Sequence, residues 1–387
     1  TEEGLIFLGL CGMTDGIKEG VKEAVAECKA AGVATVMITG DHVRTAFSIA
    51  KKLGIAEDMS EVISGEQLDS LPARERDRAI ADCRVFARVS PKHKNMIVKA
   101  LKKRGKVVAM TGDGINDAPS IKTADIGIAM GKSGTDVTKS ASDMVIADDN
   151  FTTIVAAVKE GRRISANIRK TIQFFLSTNL AEVLAILIAS LVFFRFDFLL
   201  STQLLWLNLI TDSFPVLALG MEKEDADIMN RPPVRAEKSL FSKSSIASIA
   251  FFGLYITALT IGVYAVGLKF YGNEVATALT FLTISFTELF HAFNIRSERQ
   301  SIFRCGLFSN KILLATVALG ILVNVLLAIS PFAGAFGLVS LGWQHWLVAL
   351  GLAVSVIPVG EIYKLVLRAA TRRKKASPKG EAQIMKG

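Results

Sequence analysis

A short acidic segment, TGDGIND at 111–117, carries the first residues that could do chemistry. It follows an apolar run, KVVAM at 106–110, which predicts a buried strand, and it precedes an Ala-Pro-Ser helix start. A strand of an open α/β sheet that ends in this way places its carboxylates at the edge where such sheets bind ligands. Asp113 and Asp117, with Asn116 between them, are oxygen donors that suit Mg²⁺ held against phosphate. Because one Gly-Asp-Gly is often an ordinary tight turn, the interpretation depends on what accompanies it.

Two further segments at predicted strand ends add groups that act on phosphate. Thr39, Gly40 and Asp41 follow the apolar run VATVMI, where the threonine hydroxyl could bind a phosphoryl oxygen beside the amides of the next helix start. Lys94 lies just inside a helix that Pro91 starts and could neutralise phosphate charge, although a lone lysine is more often a solvated surface residue. Threonine, lysine and paired acids at successive strand ends predict phosphoryl transfer, which needs positioning and charge neutralisation.

Three acids, Glu182, Asp212 and Glu288, lie inside long apolar segments of the second half of the chain. Charged residues at membrane depth are costly, so an ion or proton pathway is the default expectation for them. Asn179 precedes Glu182 by three residues and shares its helical face. A purely structural role for all three acids is the alternative.

The segment around Asp212 offers further oxygen ligands. Asn208, Thr211 and Asp212 lie at i, i+3 and i+4, on one helical face. Pro215 has no N–H to donate to the carbonyl of Thr211, so that backbone oxygen is free to act as a ligand. With the other two acids and Asn179, these groups supply only oxygens, and Ca²⁺ takes about six to eight, whereas a soft transition metal would favour Cys or His. We therefore expect a Ca²⁺ site, although either asparagine alone could equally be an interhelical hydrogen bond.

The elements that would position these groups fall into two parts of different composition. The chain has 387 residues, is 51% hydrophobic and has a mean hydropathy of +0.41, too apolar for a wholly soluble protein of this size. Residues 1–163 predict an α/β domain with a doubly wound parallel sheet, and residues 164–370 an all-α membrane domain. Strands are predicted at 5–13, 33–41, 85–89, 106–110, 125–130 and 143–147, with residues 56–84 as a polar, helical excursion on the surface.

Six apolar segments are long enough to cross a bilayer core of about 30 Å, which takes roughly 20 residues. They are 171–194, 199–220, 245–268, 275–293, 312–334 and 345–368. The segments 221–244 and 294–311 and the tail 371–387 are rich in Lys and Arg, whereas the other connections carry only Arg195 and Lys269. This asymmetry predicts six spans with both termini in the cytoplasm. The first span is expected to continue a helix that begins near Phe151.

The net charge of +9 does not point to nucleic acid as a partner. The basic residues cluster beside apolar segments, as at 368–375, and no basic face is interleaved with aromatic residues, so contact with anionic lipid explains them better. The four cysteines form no Cys-x-x-Cys pair and have no histidines at metal spacing, which predicts reduced thiols. The expected partner is the lipid bilayer.

Four motifs resemble a known family in order and spacing. MITGD, FARVSPKHK, TGDGINDAPS and GKSGTDVTKSASDMVIADDNF are similar to the second half of the phosphorylation domain of P-type ATPases, which has the haloacid-dehalogenase fold. The resemblance implies that Thr39 and Lys94 contact an aspartyl phosphate and that Asp113 holds Mg²⁺. It implies that Asn116 and Asp117 support that site, and that ATP is the phosphate donor.

The apolar half resembles one branch of that family. STNLAEV and LLWLNLITDSFP are similar to the sarcoplasmic-reticulum-type, or type IIA, calcium pumps, and FTELFHAFN looks like their third acidic contributor. The resemblance implies a first Ca²⁺ site and a second one that shares Asp212 with Asn208, whose remaining ligands lie on a helix that this sequence does not contain. The first site would comprise Asn179, Glu182, Thr211, Asp212 and Glu288.

Parts of the family pattern have no counterpart in this sequence. These are the Asp-Lys-Thr-Gly-Thr motif with the nucleophile, the nucleotide-binding and actuator domains and the first four membrane helices. The chain also begins with Thr1, so we expect the carboxyl-terminal portion of a Ca²⁺-transporting ATPase, inactive without its amino-terminal portion. Alternatives are a pump for another cation such as Mn²⁺, a membrane-anchored phosphatase of the same fold, and a noncatalytic ion-binding or regulatory membrane protein.

Overall fold

The computed structural model describes residues 6, 8–9, 16–225, 227–233, 242–297 and 300–375, and of residues 371–375 the backbone alone. The chain divides into two compact units, residues 1–162 with 225–236, and residues 163–224 with 237–387. The predicted strand at 5–13 lies almost entirely outside the described residues, as do the tail beyond 375 and parts of the charged segments 221–244 and 294–311.

The described residues of the first unit form two parallel sheets of three strands each. The strands are β1 Met37–Ile38, β2 Val62–Ser64, β3 Val85–Ala87, β4 Ala109–Gly112, β5 Ile126–Met130 and β6 Met144–Ile146. Their orders are β1-β3-β2 and β4-β5-β6. All three residues of β3 are fully buried, as expected of a central parallel strand covered on both faces. The predicted α/β class is confirmed.

Two details of the predicted sheet were wrong. The excursion at 56–84 contains β2, whose Ile63 packs beside Phe86 of β3; three residues of strand are too few for their pattern to stand out from the charged helices around them. The six predicted strands were also expected to form one sheet. Instead β1, with two residues, is hydrogen-bonded only to β3, and its Ile38 reaches the cluster around Met110 of β4 through side-chain packing.

Helices follow the strands and place their first residues at the strand ends. They are α1 Val21–Ala30, α2 Val43–Leu53, α3 Gly65–Ser70, α4 Ala73–Asp82, α5 Pro91–Lys103, α6 Ala118–Thr123 and α7 Asp136–Ala141. The predicted start of α5 at Pro91 is confirmed; proline suits this position because the first helical N–H has no partner within the helix. The predicted helix start after TGDGIND is confirmed by α6.

The segment ADDNF, residues 147–151, binds the loop at 131–133, which leads into α7. Asp149 lies in the left-handed region at φ 53°. Its carboxylate accepts the N–H groups of Lys132, at 3.0 Å, and Ser133, at 2.7 Å. These hydrogen bonds, that from Lys132 foremost, lower the pKa of Asp149 to about 2. The segment therefore acts locally, as a backbone anchor for residues 131–133.

The second unit is helical. Its helices are α8 Phe151–Val192, which starts in the first unit as predicted, then α9 Ser201–Trp206, α10 Ser213–Gly220, α11 Lys243–Tyr271, α12 Asn273–Ile295, α13 Ile302–Cys305, α14 Lys311–Ile329, α15 Trp343–Val354 and α16 Val356–Lys375. Among the described residues, five helical stretches are long and apolar enough to cross a membrane: 151–192, 243–271, 273–295, 311–329 and 343–370. The remaining predicted span, 199–220, is the second along the chain. It is divided between α9, a π-helical segment at Leu207–Thr211, and α10, so no single helix covers it.

Helix α12 forms the core of the helical unit. Every residue from 276 to 295 except Phe290 is buried. Its close contact with α11 depends on Gly267, where an added Cβ would lie 3.0 Å from the Cα of Ala276. Glu288 therefore lies on the most buried of the five described helical stretches that are long enough to cross a membrane.

Candidate functional site

The carboxyl ends of β1 and β4 carry the residues predicted to handle phosphate. Thr39 follows β1 directly, and Asp113 follows β4 directly. Ile38 packs against the cluster that contains Met110, so these two strands are neighbours in the first unit. Carboxyl ends of neighbouring parallel strands form the ligand-binding edge of open α/β folds. The structure thus places both residues where a phosphoryl group could be held.

The Thr39 segment is fixed by its own hydrogen bonds. The Thr39 hydroxyl donates to Oδ2 of Asp41 at 2.9 Å and accepts the Asp41 N–H at 3.1 Å. The N–H of Arg88, which has φ 47°, donates to the Asp41 carbonyl, and the N–H of Val89 donates to that of Thr39. Gly40 lies exposed between them. The loop after β3 therefore sets the position of the threonine hydroxyl.

Lys94 is paired with Asp117 instead of being solvated. Its Nζ lies 2.6 Å from Oδ1 of Asp117, whose residue is only 6% exposed. Asp113 and Asn116 are exposed, and the Asp113 carbonyl accepts the N–H of Thr135 at 3.1 Å. The two acids thus occupy different environments: Asp113 presents an accessible carboxylate, and Asp117 holds the lysine. Among the residues described, no three Asp, Glu, His or Cys side chains are grouped so that they could hold a metal ion.

Gly112 leaves room for this pair. A Cβ at Gly112 would lie 2.5 Å from the Cβ of Asp117, closer than real Cβ contacts. We expect Gly112→Ala to displace Asp117 from Lys94 and to lower the free energy of unfolding by about 1–3 kcal/mol, as for other overpacked sites. Chemical denaturation would measure the change, with Gly161→Ala, where a Cβ meets no atom within 4 Å, as the control without a clash. Equal effects of the two changes would contradict the proposed clash.

The three acids predicted within the membrane are all buried in the helical unit. Glu182 is 4% exposed, and Asp212 and Glu288 are fully buried. Oε2 of Glu182 accepts the Asn208 amide N–H at 2.8 Å, and Oδ2 of Asp212 accepts the Thr178 hydroxyl at 3.0 Å. In this structure the three carboxyl groups are not drawn together tightly enough to hold a metal ion among themselves, because no three acidic, His or Cys side chains of the described residues are grouped in that way.

Buried carboxylate oxygens without hydrogen-bond partners are the distinctive feature of this cluster. Oε1 of Glu182, Oδ1 of Asp212 and both carboxylate oxygens of Glu288 are buried and have no hydrogen-bond partner in the described structure. Leaving such atoms unpaired in an apolar interior costs free energy, so their presence calls for a ligand or a proton. These oxygen atoms, on α8, on α12 and just before α10, have no protein partners. They are the kind of donors that a hard cation requires.

The helix around Asp212 is locally unwound. The Asp212 N–H donates to the Leu207 carbonyl, five residues back, at 3.0 Å, which defines the π-helical segment. The Ser213 hydroxyl donates to the Leu209 carbonyl at 2.7 Å and so satisfies one of the displaced backbone oxygens. Single π turns within α-helices often occur at functional sites. Pro215, four residues after Thr211, was the signal in the sequence for this irregularity.

Two of the predicted amide ligands differ in their surroundings. Asn208 is exposed in this chain and reaches Glu182 directly. Asn179 is half-buried, and its amide donates to the Phe175 carbonyl of its own helix at 2.9 Å. Thr178, which sequence reasoning missed, takes the contact to Asp212. Its spacing of four residues before Glu182 was the available signal, since it places both side chains on one face of α8.

Two other polar residues make contacts between helices. Asn324 of α14 accepts the Trp206 indole N–H at 3.2 Å and donates to the Thr211 hydroxyl at 3.4 Å. Glu361 pairs with Lys364 at 3.4 Å and also accepts the Ile302 N–H at 2.9 Å. Neither residue belongs to the carboxylate cluster.

Similarity to known proteins agrees with both halves of this description. Residues 4–125 match the haloacid dehalogenase-like hydrolases, and residues 196–366 match the carboxyl terminus of cation-transporting ATPases. A haloacid dehalogenase-like α/β unit followed by apolar helices with buried acids thus defines the class. The chain belongs to the P-type cation-transporting ATPases and corresponds to their carboxyl-terminal portion.

Relatives in this family carry calcium in their names. Calcium-transporting ATPase 1 of Bacillus cereus is 46% identical over 382 residues, which cover 94% of this chain and 43% of that protein. The calcium-transporting ATPase of Bacillus subtilis is 41% identical over 92% of this chain and 40% of its own length. The human calcium-transporting ATPase type 2C member 1 is 40% identical over 96% of this chain and 40% of its own length. The chain spans about two fifths of the length of these relatives.

Proposed function

We propose that this chain supplies the carboxyl-terminal portion of an ATP-driven pump that moves Ca²⁺ across a membrane. The observation that carries the proposal is the set of buried carboxylate oxygens without partners on α8, α12 and the segment before α10. A membrane-anchored phosphatase of the same fold would have no use for such a set. The names of the relatives, all calcium-transporting ATPases, support the choice of cation.

In the phosphoryl-transfer half of the reaction, each residue at the strand ends has a distinct task. The Thr39 hydroxyl donates to a phosphoryl oxygen, and Lys94, held by Asp117, neutralises phosphate charge. Asp113 and Asn116, both exposed, are suitable oxygen donors for Mg²⁺, which when bound spreads the developing charge. ATP would bind to the part of the pump outside this chain, and that part would also supply the aspartate that accepts the phosphoryl group.

In the transport half, Ca²⁺ is the substrate. We assign its ligands to Glu182, Asp212 and Glu288, to the side chains of Asn179 and Asn208, and to Thr211. Binding would exchange the hydrogen bonds Asn208–Glu182 and Thr178–Asp212 for bonds to the cation. The helices long enough to cross a membrane support an integral membrane protein. From the distribution of Lys and Arg we further propose six spans with both termini cytoplasmic. An epitope tag at residue 387 that an antibody reaches only from the non-cytoplasmic side would contradict this.

Oxygen-only ligands favour Ca²⁺ over softer cations. Nε2 of His291 lies 2.9 Å from the Ser177 hydroxyl, whereas its buried Nδ1 has no hydrogen-bond partner in the described structure. Mn²⁺ accepts nitrogen more readily than Ca²⁺ does. Competition of Mn²⁺ against ⁴⁵Ca²⁺ would distinguish the two cations.

The chain alone is expected to form no phosphoenzyme from ATP. It has Thr39, Lys94 and Asp113 but no Asp-Lys-Thr-Gly-Thr motif. The test is incubation with γ-labelled ATP, acid quench and gel separation, in parallel with the intact pump, meaning this chain joined to the amino-terminal portion. We expect a labelled band that depends on Ca²⁺ in the intact pump only. A hydroxylamine-sensitive band from the chain alone would contradict the division of roles.

A further inference from the structure

A buried ion pair lies at one end of the helical unit, outside the carboxylate cluster. Nε of Arg296 donates to Oε2 of Glu222 at 3.0 Å, and Nη2 donates to Oε1 at 2.9 Å. Glu222 is 7% exposed and Arg296 is 5% exposed. A bidentate arrangement of this kind fixes the relative orientation of the two side chains as well as their distance.

Further hydrogen bonds tie the pair to its surroundings. Asn310 donates to Oε2 of Glu222 at 2.8 Å, and Asn167 donates to the Glu222 carbonyl at 2.8 Å. Arg296 also donates to the Gly306 carbonyl at 2.9 Å. Burial alone would raise the pKa of Glu222, but the hydrogen bonds from Arg296 and Asn310 outweigh it and lower that pKa, so the pair stays ionised.

The residues of this cluster lie on, or directly after, the helices that carry the proposed Ca²⁺ ligands. Glu222 lies two residues after α10, which follows Asp212, and Arg296 lies directly after α12, which contains Glu288. Asn167 belongs to α8, the helix of Glu182. At a rise of about 1.5 Å per residue, the cluster lies roughly 12–22 Å along these helices from the acids.

The fourth helix is linked to the same ligands. Asn310 accepts the Leu313 N–H and so caps α14, and Asn324 on α14 donates to the Thr211 hydroxyl. One cluster therefore joins the interior of α8 to the carboxyl ends of α10 and α12 and to the start of α14. A shift of any one helix along its axis would break hydrogen bonds to Glu222 or Arg296.

We propose that Glu222 and Arg296 are positioning residues that set the register of these four helices and hence the geometry of the Ca²⁺ ligands. The inference rests on the proposed function. Stability alone is a weak reason for a buried ion pair, since apolar side chains of similar volume often serve as well, whereas a fixed register is a role such pairs are known to have. The pair touches neither Ca²⁺ nor phosphate and acts only through the helices.

The experiment uses the intact pump with Glu222→Gln, Arg296→Met and Arg296→Lys. Phosphoenzyme from ATP is measured against free Ca²⁺, and phosphorylation from inorganic phosphate is measured without Ca²⁺. We expect the two charge-removing changes to raise the half-activating Ca²⁺ concentration by about tenfold, within the range seen for residues that couple distant sites. Arg296→Lys keeps the charge but loses the bidentate geometry and should give a smaller shift. Phosphorylation from inorganic phosphate should be retained.

Glu361→Gln is the matched control. It removes one carboxylate charge from the ion pair between Glu361 and Lys364, and both of these residues lie on α16. It should leave Ca²⁺ activation within about twofold of wild type, the spread expected of changes outside a coupled network. Unchanged activation in Glu222→Gln and Arg296→Met, an equal shift in Glu361→Gln, or parallel loss of phosphorylation from inorganic phosphate would each overturn the inference. If Arg296→Met does not accumulate as folded protein, Glu222→Gln and Arg296→Lys alone test the inference. A wild-type pump without Ca²⁺ dependence would overturn the proposed function as well.

Discussion

Asp113→Asn in the intact pump is expected to abolish phosphorylation from ATP and to leave Ca²⁺ binding largely in place. Asp113 is the exposed carboxylate at the end of β4, and the buried acids belong to the helical unit. Metal charge in phosphoryl transfer is worth several kcal/mol, so the loss of the carboxylate that we assign to Mg²⁺ should be severe. Equilibrium ⁴⁵Ca²⁺ binding and phosphoenzyme formation should be measured on the same preparation.

Asp82→Asn is a suitable control for this change. Asp82 ends α4, its side chain is 71% exposed, and it lies 4.0 Å from Arg78. Exposed pairs of this kind contribute little, so both activities should stay at the wild-type level. If Asp113→Asn instead removes Ca²⁺ binding together with phosphorylation in a folded protein, the two units do not divide the work as proposed.

Residues with strong local preferences were predictable from the sequence. Pro91 starts α5 because its missing N–H suits a first helical position. The strand ends of an α/β fold converge by topology, so Thr39 and Asp113 could be placed together without coordinates. The pairing of Lys94 with Asp117 could not be predicted from the sequence, since 23 residues separate them and many acids were available.

Features that depend on packing between distant segments were not predictable in the same way. The strand β2 is only three residues long and is defined by its partner β3. The π-helical segment and the Asp212–Thr178 hydrogen bond depend on how α8 lies against the segment before α10. The buried Glu222–Arg296 pair joins residues 74 positions apart, and each residue alone looks like part of a charged connecting segment.

Glu182→Gln and Asp212→Asn are each expected to abolish Ca²⁺-dependent phosphorylation from ATP and to allow phosphorylation from inorganic phosphate. Each change removes one charge and weakens one oxygen donor in a cluster of three acids, and Ca²⁺ affinity follows the number of charged ligands. Phosphorylation from inorganic phosphate depends instead on the strand-end residues, which these changes do not touch. Glu288→Gln should be milder, because Glu288 is the only proposed ligand on α12 and water could replace one of its oxygens.

The most direct test of the proposed Ca²⁺ site is the phosphoenzyme level from ATP as a function of free Ca²⁺ in the intact pump. Wild type, Glu182→Gln, Asp212→Asn and the control Glu361→Gln should be measured side by side. We expect saturable Ca²⁺ activation in wild type and in Glu361→Gln, and none in the other two, although both still form phosphoenzyme from inorganic phosphate. Normal Ca²⁺ activation in both Glu182→Gln and Asp212→Asn would contradict the assignment of these buried acids as the Ca²⁺ ligands.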